Sequence, residues 1–167
     1  DWRDDQRLDY ANRLARLLAA LLSDGPRIEG SVSTVPGAFR SEINSREDVT
    51  AMATRMIRHA AELVSIRERT GVTITLAIEP EPACYIETVD DAIRFFQEHL
   101  FERALVDQVA SDTRSALTVE DVRRHIGLCF DACHMAVEFE EPGAAIERLT
   151  AAGIRICKVQ ISSALRV

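Results

Sequence analysis

Aromatic residues are scarce, at 5% of 167 residues, although 47% of the chain is hydrophobic. Ala, Leu, Ile and Val must therefore build the core, which suits helices packed on buried parallel strands. A basic surplus is also lacking, since the formal net charge is −7. Nucleic-acid binders draw most of their affinity from counterions released by a basic patch, and no basic block is present to form one. Arg3, Arg7, Arg13 and Arg16 are interspersed with acids and read as a solvated helix face.

Long apolar runs are missing too. The longest, Leu17 to Leu22, is far too short to cross a bilayer, so no membrane insertion is expected. No apolar stretch follows a basic start, and the sequence reads as lacking a signal peptide. Cys84, Cys129, Cys133 and Cys157 show neither a disulfide-scaffold spacing nor the paired spacing of a structural zinc site. A reduced, cytoplasmic setting is the expectation. The chain has no initiator Met and stops just after an apolar strand, so both ends look cut.

What is present is an alternation. Apolar residues recurring at steps of three and four, Leu8, Ala11, Leu14, Leu18 and Leu21, predict a helix over 5–23. Further helices are expected over 46–70, with Ser45 as N-cap and Gly71 closing it, over 88–100 with a continuation through 101–110, over 118–125, and over 142–152. Residues 111–116 read as a loop. Strands are expected over 31–35, 72–79, 126–131 and 154–162. Strands alternating with helices mean βαβ units and a parallel sheet. The fold class expected is α/β, a partial (β/α)8 barrel with four parallel strands in chain order, because a complete barrel needs about 250 residues and eight strands. A four-stranded open sheet is the alternative. As one partial barrel domain over 1–167, the chain would leave both sheet edges and the inward face bearing Thr73, Thr75 and Cys129 uncovered, so poor stability or self-association is expected.

Strand side chains alternate in direction. In the second strand Val72, Ile74, Leu76 and Ile78 share a large apolar face, and Thr73, Thr75, Ala77 and Glu79 share a small polar one. In the third, Leu128 and Phe130 oppose Gly127, Cys129 and Asp131. In the fourth, Ile154, Ile156, Lys158, Gln160 and Ser162 oppose Cys157, Val159 and Ile161. Three strands thus bring Glu79, Asp131 and Gln160 to the C-terminal rim, where parallel α/β folds place their sites. Asp131 and His134 follow a strand directly, and with Glu79 they offer donors suited to Mn, Mg, Co or Zn. The plainer reading is that Asp131 caps the next turn and His134 merely bonds it. Glu81 competes with Glu79 but reads as a solvated loop residue, as do Glu138, Glu140 and Glu141. Lys158 is expected to pair with Asp131 or Glu79, and Cys133 to be a small buried residue. His59, His99 and His125 lie on helices away from the rim.

The segments Leu76-Ala-Ile-Glu-Pro-Glu-Pro82, Gly127-Leu-Cys-Phe-Asp-Ala-Cys-His-Met-Ala-Val-Glu-Phe-Glu140 and Lys158-Val-Gln-Ile-Ser-Ser-Ala-Leu165 resemble the xylose-isomerase-like barrel superfamily of sugar isomerases and epimerases. With Gly30-Ser-Val-Ser-Thr-Val-Pro36 and the opening Asp1-Trp2 helix, they are similar, more narrowly, to the metabolite traffic proteins (EboE) of the ebo gene cluster. The resemblance to ketose 3-epimerases implies a divalent metal held by Glu79 and Asp131, with His134 and Arg166 contacting substrate. Gln160 stands where the metal-binding His would be and is a weaker ligand, and a final Glu would come from a later strand. The function so implied is metal-assisted isomerisation or epimerisation of a small polyol or sugar-like metabolite, with Glu79 moving the proton. The ebo resemblance implies metabolite handling in a biosynthesis or export pathway. A non-catalytic metabolite-binding barrel is the alternative. The abasic-site endonucleases, which share a D-x-C-H run at zinc, are a further one that the acidic charge and Gln160 count against.

Overall fold

The computed structural model describes residues 1–23 and 28–163. Its helices are α1 (Asp5–Leu22), α2 (Arg46–Thr70), α3 (Val89–Phe95), α4 (Arg103–Thr113), α5 (Val119–His125), α6 (Ala132–Val137) and α7 (Pro142–Ala151). Its strands are β1 (Gly30–Thr34), β2 (Ile74–Ile78), β3 (Ile126–Asp131) and β4 (Ile156–Gln160). The strands are all parallel and lie in chain order, β1-β2-β3-β4, alternating with helices as half of a (β/α)8 barrel.

Local chemistry sets the helix ends. Ser45–Asp48, Thr88–Asp91 and Thr118–Asp121 each form a reciprocal capping box, which satisfies backbone donors that the first turn leaves free. Gly71 closes α2 at φ 74°, a left-handed conformation that costs glycine nothing. The buried stripe of α2 includes Val49, Met52, Met56, Ala60 and Leu63.

Several expectations need correction. In α1 the seam that is buried is Ala11, Ala15 and Ala19, whereas Leu17 and Leu21 stay exposed. Small side chains one turn apart let α1 come close to its neighbour. The helix beginning at Val89 does not simply continue past Leu100. It widens into a five-residue π turn, Phe96–Leu100, and a new helix starts with Glu102 as its N-cap. That helix, α4, runs to Thr113, so the loop expected over 111–116 begins late. Helix α6 had no counterpart in the sequence pattern, because its six residues are too few to show a period.

β4 departs from simple alternation. Leu128 pairs with Ile156 and Cys129 with Lys158, leaving Cys157 as an extra residue in a bulge. Partnered residues of adjacent strands point the same way, so Ile156 faces outward with Leu128, while Lys158 and Gln160 face inward with Cys129 and Asp131. The expectation that Ile154 and Ile156 share the inward face with Lys158 is therefore wrong, and both instead pack with the core.

The inward face is also not left bare. Thr75 and Cys129 are buried, at 1% and 0% exposure. The sheet curls until its two edges communicate. Lys158 Nζ on β4 donates to Ser33 Oγ on β1 at 2.6 Å, and Arg155 pairs with Glu29 at 2.7 Å just before those strands. The β4 edge itself stays open, with Val159 and Ile161 exposed.

Candidate functional site

Glu79 follows β2 directly. Its backbone N–H donates to Thr34 O at 3.0 Å, extending the β1–β2 pairing by one step and fixing its side chain at the rim. Thr34 is held in turn by the indole of buried Trp2, whose Nε1–H donates to Thr34 Oγ1 at 2.8 Å, and by Arg7 at 2.7 Å. Asp131 ends β3 and is the N-cap of α6, accepting from the backbone N–H of Cys133 and His134. That turn carries His134 back over β2, where its Nδ1 donates to Pro80 O at 3.1 Å and lies 3.6 Å from Glu79 Oε1.

Gln160, at the end of β4, joins the two acids. Its Nε2 lies 2.7 Å from Glu79 Oε1 and 2.7 Å from Asp131 Oδ2. Ionised carboxylates only accept, so the group between them is the amide NH2, and each of its protons serves one acid. Ser162 Oγ donates to the other Asp131 oxygen at 2.7 Å. Burial pushes the Asp131 carboxyl upward. Hydrogen bonds from Ser162, the His134 backbone, Gln160 and the Cys133 backbone outweigh that and hold it below the ordinary carboxylate range.

The structure thus gathers Glu79, Asp131, His134 and Gln160 in one volume, and Asp131 acts as cap and site residue at once. Arg166 lies outside the described residues. Glu81 stays apart from the cluster, its carboxylate beside the Cys84 thiol. Cys133 is half-buried and contributes its backbone N–H. Lys158 does not pair with Asp131 or Glu79 as expected but reaches across to Ser33. Glu140 is no solvated loop residue. It is half-buried and accepts from Val89 N at 3.0 Å, and burial raises its carboxyl. Sequence reasoning missed the roles of Ser33, Ser162 and the Pro80 carbonyl. Only the inward parity of Ser162 hinted at one of them.

One ligand atom each from Glu79, Asp131 and His134 lie within 4.8 Å of one another. Two carboxylates and an imidazole form a donor set that fits a divalent cation such as Mn or Zn. Because Nδ1 serves Pro80, the lone pair available on a neutral His134 is that of Nε2. Gln160 as placed does not fit as a ligand, since its amide would have to turn to present oxygen.

No family model and no curated protein matches the chain. Among solved structures it is similar to the apo form of 3-keto-D-glucoside 4-epimerase from E. coli, at 17% identity and a TM-score of 0.47. The match covers 95% of this chain and 64% of that one, so the chain spans less than two thirds of that enzyme's length.

Proposed function

We propose that the chain is part of a sugar isomerase or epimerase barrel acting on a small polyol or sugar-like metabolite. The observation that carries this reading is the convergence of Glu79, Asp131 and His134 from different elements onto the C-terminal ends of parallel strands. Glu79 is the proton-moving base for a carbon next to a carbonyl, and its short bond to Gln160 aims one of its oxygens. His134 presents Nε2 to a substrate oxygen while Pro80 fixes its ring. A divalent ion held by Glu79 and Asp131, when bound, would polarise the carbonyl and acidify its neighbouring C–H, leaving His134 Nε2 to the substrate. Arg166 is assigned a substrate contact from the family resemblance alone. The finer placement among metabolite traffic proteins, in a biosynthesis or export pathway, rests on the same resemblance, as does the single partial domain over 1–167.

The test is hydrogen–deuterium exchange at the carbon next to the carbonyl of ketoses, with and without added Mn, in the intact protein. Wild type is expected to exchange, and Glu79→Gln to lose on the order of 10²-fold or more. No exchange from any ketose, with or without metal, overturns the reading.

One observation favours a second reading, a non-catalytic binding barrel. The Gln160 NH2 already bridges the two carboxylates that a metal would join. If Gln160→His binds Mn far more tightly than wild type, and neither exchanges hydrogen, binding is the function.

A further inference from the structure

The 20 lysine and arginine residues of the chain include a single lysine, Lys158. Everywhere else the sequence meets its need for positive charge with arginine. That one amine lies on the inward face of β4, two residues before Gln160 and so directly beneath the rim site. It is half-buried, and among the described residues it makes no ion pair; its hydrogen bond goes to the neutral Ser33 hydroxyl at 2.6 Å. Ser33 Oγ lies 3.8 Å from the Cys129 sulfur, which closes the floor of the concave face. A purely electrostatic or strut-like role could be filled by arginine, which donates more hydrogen bonds and stays charged. What arginine lacks is a nucleophilic nitrogen.

The geometry points to Lys158 as a carbonyl-capturing amine that forms an imine with a keto or aldehyde group held beneath Glu79 and Asp131. This rests on the sugar isomerase or epimerase reading above and gives the carbonyl a route of activation that needs no metal ion. The Nζ lone pair adds to the carbonyl carbon, and the carbonyl oxygen takes up a proton to give a carbinolamine. Water then leaves, so that ammonium plus ketone yields iminium plus water. Ser33 Oγ, in contact with Nζ, is placed to pass the proton between nitrogen and the departing oxygen. The iminium draws electrons from the neighbouring carbon, whose proton passes to Glu79 to leave an enamine. Return of a proton to that carbon, followed by addition of water to the iminium, releases the epimer and restores the amine. Burial pushes the neighbouring Cys129 thiol up to about 11, so it stays protonated and does not compete as a nucleophile.

The intact protein is incubated with dihydroxyacetone or D-fructose and sodium cyanoborohydride, then mapped by peptide mass. The expected result is reductive labelling of Lys158 in roughly tenfold or greater excess over any other amine of the protein. Lys158→Arg, which keeps the charge and the donor to Ser33, is expected to retain the fold by circular dichroism and lose hydrogen exchange. Labelling of Lys158 no greater than that of other amines, or unchanged exchange in Lys158→Arg, overturns the inference. Labelling without exchange in wild type leaves the amine standing and sinks the isomerase reading. Exchange without labelling does the reverse.

Discussion

Buried histidine is the most pH-sensitive residue of this core. His59 on α2 is fully buried, with Nδ1 2.6 Å from Asn12 Oδ1 and Trp2 tilted against its ring. Burial, then repulsion from His125 and Arg7, lowers it from 6.5 to about 3. The unfolded chain takes up the proton first, so the stability His59 lends is complete above pH 6.5 and drains away as pH falls toward about 3. Unfolding free energies from urea titrations over that window should fall by on the order of a few kcal/mol in wild type. A His59→Phe variant should flatten the curve, provided it folds. At this scale the sequence spoke clearly about some residues and not others. The inward parity of Glu79, Asp131 and Gln160 is a local pattern, and all three do meet. The partners of Lys158 and Glu140 lie far off in the chain, and no short-range pattern records such contacts.

At the level of elements, helix ends were legible because caps are local chemistry. Ser45, Thr88 and Thr118 all begin helices as their side chains dictate. The β4 bulge was not, since an inserted residue leaves the composition of a strand unchanged. Its tolerance depends on Gly127. A Cβ there would overlap the Arg155 carbonyl, just before the bulged strand, and the Cys157 sulfur on it. Gly127→Ala should therefore cost about 1–3 kcal/mol in chemical denaturation. Deleting Cys157 should cost little more than Cys157→Ala, because it removes the extra residue and leaves Ile156 opposite Leu128 and Lys158 opposite Cys129 in plain alternation. A deletion far worse than Cys157→Ala in a thermal melt would argue against the bulge.

Viewed whole, the described sheet is open along β4. Val159 on β4 and Ile161 just after it are exposed, and a parallel edge with apolar side chains invites pairing. The 167-residue chain should self-associate in sedimentation experiments, and Val159→Lys with Ile161→Lys should shift it toward monomer. The four-strand order was readable from the α/β alternation. The closeness of β1 and β4 was not, because curvature belongs to no single strand. That curvature makes the sheet an arc, and the bond from Lys158 to Ser33 is its chord. An arc cannot open without lengthening its chord. Whatever draws the Lys158 nitrogen away from Ser33 removes that chord and leaves the Arg155–Glu29 pair to hold β1 and β4 together.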